Sequence, residues 1–259
     1  MQLTGRSALV TGAANGIGRA IAVKLAEAGA DVAASDIDKA NLATLTTEIE
    51  ALGRRCVAIE ADCGDVQSID AMVSQTVDAF GKLDVIVNNA GVTRRAHIMD
   101  LTEADFDKIN RINAKGVFFC MQRAATEMIK QGGGRIINMA SIAGKGYMGS
   151  SNVIYAGTKG AVIAMTRLAS HQLGPHNINV NAVCPGVTET AIYNEIMASD
   201  AKKLGVAEAE VRAAALEKVP LRRSNMPEDI ADMCVFLASD AARNVSGQSL
   251  HVDGGLVPD

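Results

Sequence analysis

The chain has 259 residues, of which 48% are hydrophobic and 21% are charged, and its net charge at neutral pH is −4. This composition is typical of a globular chain with a sizeable core and excludes an intrinsically disordered one. The weak acidity, with no run of more than two Lys or Arg residues, argues against a nucleic-acid partner. No apolar stretch approaches the ~18 residues that a membrane-spanning helix needs, so we expect no membrane partner.

Five cysteines occur in the chain, and none of them forms a CxxC pair or a cluster with the spacing of metal ligands. We therefore expect reduced thiols and no metal site. The N-terminal stretch MQLTGRSALV lacks the charged, apolar and cleavage regions of a secretory signal. Reduced thiols and the lack of a signal together predict a cytoplasmic protein. The cysteines are Cys56, Cys63, Cys120, Cys184 and Cys234.

Short apolar runs rich in Val, Ile and Ala alternate with longer segments of helical periodicity. Such runs are typical of strands that are buried on both faces of a parallel sheet. Their alternation with helices predicts right-handed crossovers and an α/β fold, namely a single doubly wound domain of Rossmann type over residues 1–259. We expect a seven-stranded, mostly parallel sheet with helices on both faces. The predicted strands are SALVT (7–11), DVAASD (31–36), CVAIEAD (56–62), LDVIVNNAG (83–91), RIINMAS (135–141), INVNAVCPG (178–186) and SLHVDGG (249–255).

A glycine-rich turn, TGAANGIG (11–18), joins the first predicted strand to the first helix. Gly12 would permit the tight turn, Gly16 would let the backbone approach a pyrophosphate, and Gly18 would allow close helix packing. The helix N-terminus would face the phosphates with unpaired N–H groups and a positive dipole end. The spacing differs from G-x-G-x-x-G, but the strand–turn–helix context favours a dinucleotide site over a turn without a ligand.

The second predicted strand ends at Asp36, which follows Gly18 by 18 residues. An acid about 20 residues beyond the glycines binds the adenosine ribose in dinucleotide sites. A carboxylate there accepts hydrogen bonds from both ribose hydroxyls and repels a 2′-phosphate. Residues 13–15 include no basic side chain, so both features favour NAD over NADP. The alternative is that Asp36, like the nearby Asp38, is a solvated turn residue.

Two of the segments between strands carry one apolar stripe each, which is typical of helices that pack on a sheet. The first stripe is Leu42, Leu45, Ile49 and Leu52, and the second is Ile69, Met72, Val73, Val77 and Phe80.

A possible acid–base site lies further along the chain. In YAGTK, Tyr155 and Lys159 are four residues apart and so share one helix face. A free phenol has a pKa near ~10, and an ammonium one turn away would lower it toward the range useful in catalysis. Ser141 ends the fifth predicted strand, where its hydroxyl could hold a substrate oxygen as charge develops. Taken singly, Ser141 could equally be a helix cap and Lys159 a solvated charge.

The stretch 187–226, between the sixth strand and the last helix, is helix-prone, charged and long for a connection. Ligands in open α/β sheets bind beyond the carboxyl ends of the strands. We therefore expect a substrate loop or lid here. Its candidate lining residues, together with those of the loop after Ser141, are Tyr147, Met148, Tyr193, Ile196 and Met197.

These motifs together resemble the short-chain dehydrogenase/reductase family, and the resemblance spans essentially the whole chain. It implies a catalytic tetrad in which Tyr155 is the acid/base, Lys159 also binds the nicotinamide ribose, Ser141 orients the substrate and Asn113 helps to hold a proton-relaying water. From the residues alone, Asn113 could also be a buried Asn at a helix kink, because Ile109, Asn113, Gly116 and Val117 share one face. The motifs are TGAANGIG (11–18), NNAG (88–91), Asn113 in INAKG, Ser141, YAGTK (155–159), PGVTET (185–190) and SGQSLHVDGG (246–255).

The same resemblance implies a set of NAD-binding residues. Asp62 would bind the adenine amine, residues 88–91 would line the adenosine side, and residues 185–190 would hold the carboxamide. The chain departs from the family in Thr188, where Val or Ile is usual, and in one extra residue between Ser141 and Tyr155. The full set is Gly12, Asn15, Gly16, Ile17, Gly18, Asp36, Asp62, Cys63, Asn89, Ala90, Gly91, Tyr155, Lys159, Pro185, Gly186, Thr188 and Thr190.

The implied reaction is the interconversion of a secondary alcohol and a ketone with NAD. The resemblance points to a small polyol, sugar alcohol or diol as substrate. The alternatives are a 3-oxoacyl-carrier-protein reductase that uses NADPH and, from another class, a non-catalytic NAD-binding sensor. Arg94 and Arg95 could attract an acidic substrate, or they could be solvated or packed on a neighbouring subunit. The family also implies a homotetramer with the helices around 102–130 and 155–173 at an interface.

Overall fold

A single seven-stranded sheet forms the centre of the computed structural model, which describes residues 1–258, with Ile192 described by its backbone alone. The strand order is β3-β2-β1-β4-β5-β6-β7, and every neighbouring pair is parallel. The predicted fold class and all seven predicted strands are confirmed, and the sheet is wholly rather than mostly parallel. The strands are β1 (Ser7–Thr11), β2 (Asp31–Asp36), β3 (Cys56–Glu60), β4 (Val85–Asn88), β5 (Gly134–Met139), β6 (Ile178–Pro185) and β7 (Ser249–Val252).

Helices cover both faces of the sheet. One apolar core lies between the sheet and α1, α2 and α9, and the other lies between the sheet and α3, α5 and α6. This double coverage is why the strands are continuous apolar runs. The helices are α1 (Gly16–Glu27), α2 (Lys39–Ala51), α3 (Val66–Phe80), α4 (Glu103–Asn110), α5 (Val117–Gln131), α6 (Val153–Leu173), α7 (Ala191–Leu204), α8 (Glu208–Leu216) and α9 (Pro227–Ala238).

The two predicted apolar stripes lie on α2 and α3 and face the core, with one exception. Leu42, Leu45 and Ile49 are fully buried, but Leu52 is 43% exposed. The prediction for Leu52 is wrong because α2 ends at Ala51, so the next side chain no longer follows the helical face. On α3, Ile69, Met72 and Val73 are buried, while Val77 and Phe80 pack against the core from its edge.

The strand order reverses between β1 and β4, which lie side by side at the centre of the sheet. The carboxyl ends of these strands therefore flank a crevice, the usual ligand site of a doubly wound sheet. The 187–226 stretch forms α7 and α8, as its helix-prone sequence predicts. Its two ends meet in a single parallel bridge between Thr188 and Asn225, so the stretch leaves and rejoins the body at one place.

The Gly18 position tolerates no side chain. A Cβ atom there would lie 2.0 Å from the backbone oxygen of Gly12. The close approach of α1 to the turn therefore requires glycine at position 18. We expect Gly18→Ala to lower the free energy of unfolding by about 3 kcal/mol, because backbone atoms must shift to relieve the overlap. Urea denaturation measures this loss.

Gly157→Ala is the matched control for Gly18→Ala. A Cβ on Gly157 would meet nothing within 4 Å, and the residue lies inside α6. The stability of this variant should equal that of the wild type or exceed it slightly, since Ala favours a helix interior more than Gly does. Equal losses in the two variants would contradict the packing role of Gly18.

Candidate active site

The glycine turn leaves α1 with an open N-terminus. Gly12 and Gly16 adopt positive φ angles of 65° and 54°, which favour glycine. Asn15 is the N-cap of α1, but its side chain makes no capping hydrogen bond and donates instead to Asp38 at 3.4 Å. Ile17 packs against the core and anchors the first turn. The first N–H groups of α1 therefore have no side-chain acceptor, which is what an anion-binding helix end requires.

Thr11 and Asn89 tie the glycine turn to the end of β4. The Thr11 hydroxyl accepts hydrogen bonds from the backbone N–H groups of Asn89 at 3.0 Å and Ala90 at 3.1 Å. The Asn89 amide in turn donates to the backbone oxygens of Thr11 and Gly12, both at 3.0 Å. Asn89 thus fixes the relative position of the two loops. Thr11 was missed among the predicted site residues, although it opens the TGAANGIG motif.

The Asp36 carboxylate lies at the rim of the crevice, and backbone N–H groups hold its orientation. It accepts hydrogen bonds from the N–H groups of Ala14 at 3.0 Å and Asp38 at 3.1 Å. Ile37 beside it is 72% exposed and offers a flat apolar surface. Arg19, the basic residue that follows the glycine turn, is held by Glu48 at 2.6 Å and Thr44 at 3.1 Å. Arg19 therefore already has a carboxylate partner other than Asp36.

Asp62, the predicted adenine-binding residue, follows β3 and forms an ion pair. Its carboxylate accepts from the Gly64 N–H at 2.7 Å and lies 3.0 Å from the Arg111 guanidinium. Cys63 is buried, and a Cβ on Gly116 would lie 2.3 Å from its carbonyl oxygen, so this loop packs tightly on the helix behind it. No motif in the sequence pointed to the Arg111 contact, since it joins residues 49 positions apart.

Asn113 lies in a π-helical turn, Arg111–Gly116, that separates α4 from α5. Its buried amide exchanges two hydrogen bonds of 2.8 Å with the backbone N–H and oxygen of Val92, just after the NNAG motif. A Cβ on Gly91 would lie 3.4 Å from the Asn113 amide oxygen and 3.7 Å from the Lys159 ammonium. The irregular helix and the buried amide agree with the helix-kink interpretation, and they also place Asn113 beside Lys159. The water-relay role stays a prediction.

Tyr155, Lys159 and Ser141 meet at the carboxyl ends of β5 and β6. The Lys159 ammonium is 4% exposed, donates to the Met139 backbone oxygen at 2.6 Å and lies 5.6 Å from the centre of the Tyr155 ring. The interpretation of Lys159 as a solvated charge is therefore wrong. Ser141 both caps the following turn, accepting from the Ala143 N–H at 3.1 Å, and bonds to the Tyr155 phenol.

The pKa of the Tyr155 phenol is shifted upward, in the direction opposite to the sequence prediction. Burial raises the pKa of the Tyr155 phenol, and the hydrogen bond with Ser141 offsets this only in part. Burial is also the cause that lowers the pKa of Lys159, to about 8. The two shifts share one cause, since burial disfavours the charged form of each group. The phenol is consequently protonated at neutral pH, the state that can donate a proton to a carbonyl oxygen.

The lowered pKa of Lys159 predicts a pH-dependent stability. An unfolded lysine keeps its proton up to about pH 10.5, whereas the folded one releases it near 8. The unfolded state therefore binds more protons between these values, and the free energy of unfolding rises with pH across this window. We expect this group to contribute a gain of about 2 kcal/mol between pH 8 and pH 10.

Urea denaturation of the wild type and Lys159→Met at several pH values isolates this contribution. The variant lacks the titrating group, so its stability should rise less with pH by about that amount. Parallel pH profiles for the two proteins would show that Lys159 is not protonated differently in the folded and unfolded states.

Asn152 begins the helix that carries Tyr155. Its side-chain oxygen accepts from the Tyr155 N–H at 2.8 Å, and its amide donates to the Arg94 backbone oxygen at 2.7 Å. The residue therefore fixes both the start of α6 and the loop after β4. Sequence reasoning missed it, although an Asn three residues before a predicted helical Tyr is a recognisable N-cap signal.

The PGVTET segment lies beside the C-terminal strand. Pro185 ends β6, and a Cβ on Gly186 would lie 2.6 Å from the Asp253 side chain, so only glycine fits there. The Thr188 hydroxyl donates to the Gly186 oxygen at 3.2 Å, and the Thr188 backbone forms a bridge with Asn225. Thr190 caps α7 and lies 3.7 Å from the position of a Cβ on Gly16. The segment therefore reaches the glycine turn across the crevice.

Arg94 and Arg95 both form ion pairs within the chain. Arg94 makes two hydrogen bonds, of 2.7 and 2.6 Å, to the Asp105 carboxylate, which lies at the start of α4. Arg95 pairs with Asp200 of α7 at 3.1 Å. Both guanidinium groups thus have carboxylate partners, which disfavours the binding of an acidic substrate and indicates that they hold the loop after β4 in place.

Within residues 1–258, no helix is both long enough and apolar enough to cross a membrane, and no group of His, Cys, Asp or Glu side chains could hold a metal ion. The five cysteines are free thiols, and all but Cys56 are buried.

Comparisons with known proteins agree on one family. A family model described as enoyl-(acyl carrier protein) reductase matches residues 12–257. The chain is 40% identical over 258 residues to the 3-oxoacyl-[acyl-carrier-protein] reductase FabG of Staphylococcus aureus, with 99% of each protein covered.

Two solved structures extend this similarity. A protein from Sinorhizobium meliloti 1021, assigned as a short-chain alcohol dehydrogenase, superposes with a TM-score of 0.90 at 38% identity, covering 98% of this chain and 97% of that one. A protein from Agrobacterium tumefaciens, assigned as a 2-deoxy-d-gluconate 3-dehydrogenase and holding NADP, superposes with a TM-score of 0.86 at 36% identity, with the same coverage.

Proposed function

We propose that this chain, which belongs to the short-chain dehydrogenase/reductase family of oxidoreductases, uses NAD(H) to interconvert the 3-oxo and 3-hydroxy groups of an acyl thioester. The observation that carries this proposal is the phenol of Tyr155, which is hydrogen-bonded by Ser141 and adjoins the buried ammonium of Lys159. The substrate class is supported by the FabG relative, which is 40% identical over nearly its whole length. The relative therefore favours the acyl thioester over the polyol expected from sequence.

The residues of the crevice fit a nicotinamide dinucleotide. The uncapped N-terminus of α1 suits a pyrophosphate, and Gly16 faces Thr190 across a gap that a Cβ would partly fill. The ammonium of Lys159 has three donors and spends one on Met139, so two could reach ribose hydroxyls. When bound, the dinucleotide supplies the hydride chemistry.

The chain's own residues would supply position and a proton. In the reductive direction the Tyr155 phenol donates its proton to the substrate carbonyl oxygen, while the Ser141 hydroxyl donates a hydrogen bond to the same atom. The raised pKa of Tyr155 supports this direction, because the phenol is then protonated at neutral pH. The buried Lys159 ammonium would stabilise the phenolate that remains.

The preference for NAD(H) is proposed from Asp36. Its carboxylate is held by two backbone N–H groups at the rim of the crevice, where an adenosine ribose would lie. A 2′-phosphate at that place would meet a negative charge. The Agrobacterium structure that holds NADP shows that the fold itself accepts the phosphorylated cofactor, so the discrimination would depend on this side chain.

A second candidate is the oxidation of a polyol or sugar alcohol. It is supported by the 36% identity to the protein assigned as a 2-deoxy-d-gluconate 3-dehydrogenase. The two candidate substrates would use the same acid–base site. They differ in the groups attached beyond the reacting carbon, a thioester in one and hydroxyls in the other.

The deciding experiment is a substrate assay with all four nicotinamide cofactors, followed by absorbance at 340 nm. We expect NADH oxidation with acetoacetyl-CoA, and a kcat/KM at least ~10-fold lower with NADPH. Turnover restricted to polyols would favour the second candidate, and a preference for NADPH would overturn the cofactor assignment. Tight NAD binding without turnover of any alcohol or ketone would favour the sensor.

We also propose the homotetramer that the family resemblance implies, with α4, α5 and α6 at its interface. Exposed apolar side chains on these helices support that placement. Phe106 of α4, Phe118 and Ile129 of α5, and Val153 and Leu168 of α6 each expose 41–60% of their surface. Light scattering after size exclusion should give about four times the chain mass of 27.0 kDa, and a monomer would refute the inference.

A further inference from the structure

Tyr193 holds a buried hydroxyl that has no hydrogen-bond partner among the residues that the structure describes. It lies in the first turn of α7, directly after the PGVTET segment. Buried polar groups almost always have a partner, so an exception calls for an explanation. A binding site whose partner arrives with the ligand is one such explanation.

Two neighbours of Tyr193 belong to segments that border the crevice. Thr190, which begins α7, lies against Gly16 of the cofactor turn and accepts from the Tyr193 N–H at 3.3 Å. Tyr147, on the loop that follows Ser141, is close enough to raise the pKa of the Tyr193 phenol. Tyr193 thus adjoins Thr190, which reaches the glycine turn, and lies near Tyr147 on the loop that follows Ser141.

The Tyr193 ring is held in place by Arg212 of α8. The guanidinium lies 5.2 Å from the ring centre, and it also bonds to Glu189 at 3.0 Å and Asn194 at 2.8 Å. Glu189 belongs to the PGVTET segment and accepts a further bond from Ser224 at 2.7 Å. The far end of α7 is tied to the loop after β4 by the Arg95–Asp200 pair. Arg212 thus contacts the ring while Glu189 and Asn194 hold its guanidinium in place.

We propose that Tyr193 is a specificity-determining residue whose hydroxyl donates a hydrogen bond to a second oxygen of the substrate, beyond the carbon that reacts. In an acyl thioester this acceptor is the thioester carbonyl oxygen. The inference rests on the proposed function and deepens it, because it names the group that separates such a substrate from a simple ketone. A site that bonds a polar group rejects analogues that lack it far more strongly than an apolar pocket can.

Tyr193→Phe tests the proposal, since it removes the hydroxyl and keeps the ring under Arg212. We expect the KM for acetoacetyl-CoA to rise at least ~10-fold, with kcat changed less than about threefold and the Kd for NADH unchanged. The thermal midpoint of the free protein should stay the same or rise, because the hydroxyl that is removed has no partner there. A lower midpoint would indicate a bond to a trapped water and would overturn the proposal, as would an unchanged KM.

The wild-type assay keeps this test separate from that of the proposed function. If the wild type turns over acetoacetyl-CoA and the KM of Tyr193→Phe is unchanged, the role of Tyr193 fails and the proposed function stands. If the wild type turns over a polyol instead, the thioester function fails, and the same KM comparison on that polyol decides the role of Tyr193, because a polyol also carries a second oxygen. No turnover of any alcohol or ketone overturns both.

Discussion

Tyr155→Phe should reduce kcat for the NADH-dependent reduction of acetoacetyl-CoA by about 10²–10⁴-fold, the usual contribution of a general acid. The substitution removes one oxygen from a ring that Ser141 and Lys159 contact, and it removes the proton that the substrate oxygen must receive. The ring itself remains, so the packing of α6 and the shape of the cofactor site should persist. Steady-state kinetics gives the loss in kcat, and fluorescence titration gives the NADH affinity, which should change less than about twofold.

The same variant separates catalysis from structure. The variant loses one hydrogen bond, the one between the phenol and Ser141, so the free energy of unfolding should fall by only about 1 kcal/mol. A variant that retained a tenth or more of the wild-type kcat would refute the assignment of Tyr155 as proton donor. A variant that lost NADH affinity in proportion to activity would point to a binding role instead.

Asp36→Asn should shift the cofactor preference, measured as the ratio of kcat/KM values, toward NADP(H). The substitution keeps the size of the side chain and removes the charge that would face a 2′-phosphate. Repulsion between unit charges near a protein surface is about 4 kcal/mol at ~4 Å, and each ~1.4 kcal/mol changes an equilibrium tenfold. We therefore expect kcat/KM with NADPH to rise at least ~10-fold and kcat/KM with NADH to fall several-fold.

Asp38→Asn is the matched control for Asp36→Asn. Asp38 is two residues further along, and its side chain caps α2 through the Asn41 N–H at 3.1 Å. Asn caps helices about as well as Asp does, so the turn should keep its shape. The ratio of NADH to NADPH activity should change at most about threefold. Equal shifts in the two variants would mean that general acidity, rather than the Asp36 contact, sets the preference.

The fold was predictable from sequence because its determinants are local and repeated. Each strand is a short apolar run buried on both faces, as in SALVT and DVAASD, and the helical segments between them carry their own stripes. Strand ends were less predictable. The run 83–91 forms a strand only over Val85–Asn88, because Asn89 and Ala90 turn away to bond with Thr11.

The juxtaposition of Tyr155, Lys159 and Ser141 was predictable from sequence, but the pKa shifts of Tyr155 and Lys159 were not. Tyr155 and Lys159 come together because four residues make one helical turn, which the spacing already contains. The rise in the pKa of Tyr155 depends on how deeply the phenol is buried, and burial results from packing between α6, β5 and β6. The sequence shows that an ammonium lies near the phenol, but it does not show the burial that raises the pKa of Tyr155.

Contacts between distant residues were beyond sequence reasoning for the same reason. The Arg111–Asp62 pair and the Arg212–Glu189 pair join segments that share no motif. The sequence allowed Arg94 and Arg95 to be interpreted as an acid-binding pair. Their carboxylate partners, Asp105 and Asp200, lie on two other segments of the chain and could not be identified from it. Charge in a sequence shows that a partner is needed, and only the fold shows which one it is.

A crystal structure of the complex with NAD tests the central claim most directly. The account predicts the nicotinamide ring beside the Tyr155 hydroxyl, the Lys159 ammonium within hydrogen-bond distance of the nicotinamide ribose, and the Asp36 carboxylate on the adenosine ribose. A complex in which the Tyr155 hydroxyl points away from the nicotinamide, with Lys159 bonded to Met139 alone, would contradict it.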